Sequence, residues 1–384
     1  MVEWKKLGDF ASVQKTKNKK HITENAYSIT QAGLVPTKSF FKEKTHVTSA
    51  DTSGYYIVQK DWFVYSPSRI DVGSISYLKD EGPVIVSPID VVFSIDKNKC
   101  LPSYLLSYFF TYDGKKEILR NREGVEGMGR RNLPFEAIKN MPIPLPSLSE
   151  QERIVGILDT FTSSIENLKV QISLRRKQYE HYRDKLLDLE GKPGVEMKTL
   201  GEVCTIKNGY TPSTKNPAFW EDGNIPWFTL EDIRKNGRIL TDAIKHITPL
   251  GVKKAGLFPS NSIIISTTAT IGEYALIQTD FLCNQQISCI SIKDDKRISS
   301  KYLYYIADHI GKWCKKNING GGSLLIVSSS KLQHISIPLP SLEEQSRIVS
   351  ILDEFEASIK NLEAQLEARQ KQYEYYRNKL LTFE

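Results

Sequence analysis

At 384 residues the chain is longer than one ordinary domain of roughly 100 to 200 residues, so two or more domains are expected. Hydrophobic residues make up 40%, charged residues 25% and aromatic residues 10%, values of a folded globular protein that exclude a disordered one. The net charge of +7 suits a polyanionic partner; apolar runs such as Ile263–Ile265 fall far short of the roughly 20 residues of a membrane span, and Met1-Val2-Glu3-Trp4 has no apolar signal region, which points to the cytoplasm and away from a membrane.

The chain opens on Val2-Glu-x-Lys-x-Leu-Gly8, which returns as Val195-Glu-x-Lys-x-Leu-Gly201. Strands are predicted at Tyr55–Val58 and Val84–Val86 and a helical stretch at Tyr104–Phe110, followed by a Gly- and Arg-rich loop over 124–132. Ile143-Pro-Leu-Pro-Ser-Leu148 then leads into a helix expected to begin near Ser149, with Glu150 and Glu152 suited to its first turn. Along it Ile154, Leu158, Phe161, Ile165, Leu168, Ile172, Tyr179, Tyr182 and Leu186 recur in steps of four and three, and only Arg175 interrupts; this is a coiled-coil seam. Gly191-Lys-Pro-Gly194 breaks the chain. A second mixed segment carries a strand at Ile263–Thr267, a helix at Lys301–Trp313 and a loop Asn319-Gly-Gly-Gly-Ser323. Ile337-Pro-Leu-Pro-Ser-Leu342 and a second seam, expected from Glu343 and interrupted by Arg369, close the chain.

The segments 143–190 and 337–384 align without a gap and are identical at about 31 of 48 positions, whereas the stretches before them share almost nothing. The expected architecture is therefore α+β: two mixed α/β domains at 1–142 and 195–336, two long helices at 143–190 and 337–384, and a linker at 191–194. A helix of about 40 residues rises roughly 60 Å and must pair along its length. Its own duplicate is the nearest partner, in an antiparallel coiled coil with a pseudo-twofold axis; the same seam would also serve a homo-oligomer.

Residues 1–142 carry 21 basic against 16 acidic residues and 195–336 carry 17 against 12, while the helical segments hold 8 against 8 over 143–194 and 6 against 9 over 337–384. Nucleic acid would accordingly favour the two unlike domains and leave the helices to protein contacts. Five cysteines without a C-x-x-C pair and six histidines without H-E-x-x-H spacing point to reduced, packed thiols and to neither metal nor cofactor. Asn216-Pro-Ala-Phe219 lacks the second proline of an adenine-methyltransferase motif and no Gly-rich methyl-donor turn precedes it; of the E-x-K tripeptides Glu3-Trp-Lys5 and Glu196-Met-Lys198, the first has no room upstream for the partnering Asp of a nuclease and both read better as repeated domain starts, and no phosphate-binding G-x-x-x-x-G-K-[ST] loop occurs. No catalytic residue is expected.

The stretch I-P-L-P-S-L-x-E-Q-x-R-I-V-x-I-L-D, present at Ile143–Asp159 and again at Ile337–Asp353, set between unlike basic domains, resembles the specificity subunit of type I restriction-modification systems over essentially the whole chain. Gly209-Tyr-Thr-Pro212, Ile225-Pro-Trp227, Ser266–Gly272 and Asn284-Gln-Gln286 are similar to patterns of its target-recognition domains, and Tyr65–Ile70 with Val72–Ile75 plays a comparable part in the first half. The resemblance implies a noncatalytic subunit whose two target-recognition domains each read half of a split site on double-stranded DNA. Its paired helices would set the spacer and seat two copies of a DNA adenine methyltransferase subunit, to which ATP-dependent restriction subunits are added. Within that pattern the expected DNA contacts are Arg69, Arg130, Arg131 and Asn132 in the first domain, and Tyr210, Thr211, Thr268, Asn284, Gln285 and Gln286 in the second. The same layout also suits a coiled-coil scaffold or adaptor whose variable domains bind proteins.

Overall fold

The computed structural model describes residues 2–37, 51–123, 133–268, 270–318 and 326–383. The chain divides into two compact units, Met1–Val170 with Glu363–Glu384 and Gln171–Leu362. Each long helix therefore gives its first half to one unit and its second half to the other.

The two repeated sequence landmarks turn out to be partners. Glu3–Lys6 pairs antiparallel with Pro142–Leu145, Glu3 opposite Leu145, and Glu196–Thr199 pairs with Ser336–Leu339, Glu196 opposite Leu339. Pro144 and Pro338 lack an N–H and so keep these ribbons at two strands. Each ribbon is tied to its unit by a buried tyrosine: Tyr104 donates to the Pro144 carbonyl at 2.7 Å and Tyr302 to that of Pro338 at 3.0 Å. The E-x-K tripeptides are strand residues whose own side chains pair, Lys5 with Glu3 at 3.2 Å and Lys198 with Glu196 at 3.5 Å.

The long helices run Leu148–Leu187 and Leu342–Leu381, each starting one residue earlier than Ser149 and Glu343 suggest. The reason is the serine that ends each I-P-L-P-S run. Ser147 accepts from the Glu150 N–H at 3.3 Å and Ser341 from that of Glu344 at 3.2 Å, so these hydroxyls cap the helices. Ile154 and Leu158 pack with Tyr373, Leu380 and Leu381 in the first unit; Ile348 and Leu352 pack with Tyr179, Leu186 and Leu187 in the second. The start of one helix lies against the end of the other in both units, so the pairing is antiparallel.

The interruptions in the seam have matching explanations. Arg369 lies 5.7 Å from the ring of Phe161, which also stacks on Tyr376 at 5.3 Å. In the other unit Arg175 lies 5.8 Å from Phe355, which stacks on Tyr182 at 5.4 Å. The contact set of one unit is thus repeated in the other with the roles of the two helices exchanged.

Each unit builds a sheet behind this frame. In the first the strand order is Ala11–Gln14, Val91–Ile95, Phe63–Tyr65, Ile75–Tyr77; in the second it is Cys204–Asn208, Ile287–Ile292, Ser262–Ser266, Tyr274–Ile277, Ile239–Leu240. The first four strands match in order, and every one of those pairs is antiparallel. The helices Pro102–Phe109 and Ser300–Lys316 supply Tyr104, Tyr108 and Phe109, and Tyr302, Tyr305 and Ile306, to the respective cores. All five cysteines are buried and unpaired. Among the described residues no helix is long and apolar enough to cross a membrane.

Candidate nucleic-acid interface

Strand register places three loops at one end of each sheet. In the first unit Gln14 lies opposite Val92 and Tyr65 opposite Val91, so the loop after Gln14, the connection Ser66–Ser74 and the turn Ser87–Asp90 all leave from the start of Val91–Ile95. In the second unit Asn208 lies opposite Ser288 and Ser266 opposite Ile287, so the loop after Asn208, the connection Thr267–Glu273 and the turn Asn284–Gln286 leave from the corresponding end. Every described candidate residue falls on one of these loops.

Arg69 is exposed on the Ser66–Ser74 connection, whose backbone it organises: its N–H donates to Ser66 at 3.0 Å and its carbonyl accepts from Val72 at 3.2 Å and Ser74 at 3.1 Å. The loop closes with Ser66 N–H on the Ser74 carbonyl (3.0 Å) and with Gly73 at φ 92°, a left-handed conformation that suits glycine. The second unit repeats the device, with Ser266 N–H on the Glu273 carbonyl (2.8 Å) and Gly272 at φ 89°. Arg130, Arg131 and Asn132 lie outside the described residues. The residue after them, Leu133, donates to the Pro67 carbonyl at 2.9 Å and accepts from the Tyr65 hydroxyl at 2.9 Å, which brings the chain back to the Arg69 loop. Val327 does the same in the second unit, donating to the Thr267 carbonyl at 2.9 Å.

The second unit gathers its candidates more tightly. Thr211 hydrogen-bonds the exposed Gln285 side chain, joining the first loop to the third. The approach needs Gly209, because a Cβ there would stand 2.2 Å from the Cys283 carbonyl oxygen. Other members of the set hold the loops themselves. Asn284 accepts the Gln286 N–H on its side chain at 3.1 Å. Tyr210 donates to the Gly251 carbonyl at 3.2 Å, accepts the Lys253 N–H at 2.8 Å and carries the Lys253 ammonium 4.3 Å from its ring centre. Gln286 uses its carbonyl for the Thr267 N–H at 2.9 Å, and the Thr268 hydroxyl is buried without a partner among the described residues. Arg69 and Gln285 thus present polar groups outward, while Tyr210, Thr211 and Asn284 position their neighbours.

One element lies outside the expected set. The loop after Gln14 carries exposed Lys15, Lys17, Lys19 and Lys20 around Asn18, which is fully buried. The Asn18 side chain donates to the Thr23 carbonyl and accepts from the Ile22 N–H, both at 2.9 Å, and so pins a lysine-rich loop in place. The run of four lysines in six residues is its sequence signal. Asn216, of the Asn-Pro-Ala-Phe stretch, caps a turn by accepting the Ala218 N–H at 3.3 Å. Among the described residues no three His, Cys, Asp or Glu side chains gather as for a metal ion.

A family described as type I restriction modification DNA specificity domain matches residues 1–175 and 193–369. The chain belongs to this family. It is 36% identical over 314 residues to the Escherichia coli type I restriction enzyme EcoR124I/EcoR124II specificity subunit, covering 77% of this chain and 74% of that one. It is 42% identical over 217 residues to the Escherichia coli EcoprrI specificity subunit, covering 53% of each. Among solved structures it is similar in fold to a chain from a study of complex assembly and conformational transition of the type I R-M system, with TM-score 0.67, 17% identity, and 99% and 97% of the two chains covered. The HsdS subunit from Thermoanaerobacter tengcongensis gives TM-score 0.52 at 18% identity, over 99% and 96%. The family matches this chain twice, and the two matched stretches carry different loops at their sheet ends.

Proposed function

We propose that this chain is the DNA-specificity subunit of a type I restriction-modification complex and reads a bipartite duplex, one half-site per unit. The observation that carries the reading is the gathering of the described candidates on three loops at one sheet end in each unit, with different residues on the two ends. Unlike readers match unlike half-sites, with phosphate contacts fixing register and side chains such as Arg69 and Gln285 meeting base edges. The target-recognition domains span 1–142 and 195–336, joined through residues 191–194, and the helices of 143–190 and 337–384 set the spacer between half-sites. Their faces, free of the excess positive charge, seat two methyltransferase subunits and then the ATP-dependent restriction subunits. The chain itself is noncatalytic, uses no cofactor and works in the cytoplasm.

Purified with its methyltransferase subunits, the chain is expected to bind one split duplex far better than scrambled DNA, with affinity falling steeply as salt rises. A complex that prefers no duplex at any salt concentration sinks the reading and leaves a protein-binding scaffold in its place.

A further inference from the structure

The two matched sheet ends differ in chemistry at one equivalent place. Tyr65 opposes Ile75 and Val91 as Ile265 opposes Tyr274 and Ser288, so counting back two residues makes Ile89 the counterpart of Gln286. Gln286 is half-buried beside the exposed Gln285, whereas Ile89, at 76%, is exposed more than any other large hydrophobic residue described. A single exposed isoleucine carries no meaning by itself. This one stands on a turn built to hold it: Pro88 precedes it, the Asp90 N–H donates to the Ser87 carbonyl at 3.1 Å, and the Asp90 side chain is buried beneath. The lysine loop lies alongside, since Lys17 bridges to Tyr56 and Tyr56 pairs with Val86. A polyanion held by Lys15, Lys17, Lys19 and Lys20 would thus meet Ile89 at the same sheet end.

We infer that Ile89 is a base-reading residue that lays its side chain against the 5-methyl group of a thymine in the half-site of the first unit, on the turn equivalent to the one that carries Gln285 in the second. Isoleucine has no donor or acceptor on its side chain, and the thymine methyl is the apolar feature that a base edge offers in the major groove. The pairing of unlike chemistry at equivalent turns gives one physical source of the difference between the half-sites. The inference rests on the DNA-reading function proposed above.

The test replaces each thymine of the recognised duplex in turn by deoxyuridine, which removes the methyl group and nothing else, and measures binding by the full chain with its methyltransferase subunits. For the unsubstituted protein one such replacement is expected to weaken binding roughly fourfold, the value of one buried methyl. For Ile89→Ala that sensitivity is lost, while every other thymine behaves as before. Gln285→Ala leaves it intact. If no single thymine separates the unsubstituted protein from Ile89→Ala, although the duplex is still selected, the role of Ile89 is overturned and the function stands. If the unsubstituted protein selects no duplex, both fall.

Discussion

The two units agree at the glutamines that anchor them to the long helices and part company beyond them. Gln151 is fully buried, accepts the Leu101 N–H at 2.9 Å and donates to the carbonyls of Lys99 and Pro146; Gln345 does the same with Ser299, Arg297 and Pro340. Beyond these anchors the second unit runs a polar network onto its helices. Tyr179 and Tyr304 donate to Glu356 at 2.9 and 3.3 Å, and Arg183 reaches Asp308 at 3.2 Å. In the first unit Thr162 stands in the place of Glu356 and turns its hydroxyl back to the Leu158 carbonyl at 3.1 Å, while Arg377, in the place of Arg183, buries an Nε with no partner among the described residues. The duplication has preserved what anchors a helix to a domain. What fills the space behind the anchor, and what the loops present in front, differs between the copies.

The largest expected effect separates the loops. The first unit concentrates Lys15, Lys17, Lys19 and Lys20 in one pinned loop, whereas the corresponding stretch after Asn208 carries Lys215 alone before residue 224. Changing all four lysines to alanine is expected to flatten the salt dependence of DNA binding by about 0.9 in log–log slope for each phosphate no longer neutralised, and to weaken binding on the order of a hundredfold at physiological salt. Lys215→Ala should lower the slope by the equivalent of about one phosphate at most. Equal slopes in the two variants would place the phosphate-binding groups elsewhere.

The anchors come next, and here the copies should behave alike. Gln151→Ala strands one N–H and two carbonyls in a buried site, as does Gln345→Ala, and each is expected to cost about 3 kcal/mol. Hydrogen exchange followed separately in each unit reads the loss. A cost in one unit and none in the other would break the equivalence of the frames.

These glutamines mark the limit of what was legible in the chain. The helical repeats could be read because a period of four and three is a local property, and the mismatch of one residue at each start comes from capping hydroxyls at Ser147 and Ser341. That Val2–Gly8 and Ile143–Leu148 are hydrogen-bonded neighbours was not legible, since pairing across some 140 residues leaves no local periodicity. The loops suffered in a further way. Asn284 and Gln285 adjoin in sequence and are both amides, yet one is spent on the Gln286 N–H and the other faces outward. Residue type names a capacity for hydrogen bonding, and only the backbone geometry decides where that capacity goes.

Each unit also buries a carboxyl group whose ionisation opposes folding, at unrelated places. Burial pushes Asp90 in the first unit up to about 7, and it raises Glu356 in the second above the usual range. A folded-state value above the unfolded one means that the stabilising contribution is complete below the unfolded value, near 4, and is lost as pH rises through the folded value. Asp90→Asn is therefore expected to stabilise the first unit by about 2 to 4 kcal/mol at pH 8 relative to its effect at pH 4. Glu356→Gln should flatten the pH dependence of the second unit in the same direction by less, because Tyr179 and Tyr304 hydrogen-bond the ionised form and Lys301 lies near it. A stability of the first unit that rises between pH 4 and pH 8, and keeps rising in Asp90→Asn, would contradict the assignment.

The smallest effect tests the symmetry of the seam most stringently. A charged residue interrupts each apolar series at equivalent positions, and both guanidinium groups lie over a phenylalanine of the other helix that a tyrosine stacks from elsewhere on that ring. An arginine so placed covers apolar surface with its stem and attracts the ring with its charge, for about 0.5 to 1 kcal/mol. Arg175→Ala and Arg369→Ala should each lower stability by that amount, by equilibrium denaturation, and should agree within about 0.5 kcal/mol because their surroundings are the same. Lysine at either position should restore part of the stability, since its ammonium keeps the charge while lacking the planar face that lies over the ring. A loss confined to Arg175→Ala would mean that the second unit's polar network, and not the shared Phe-Tyr pair, is what holds the arginine, and the seam would be symmetric in sequence alone.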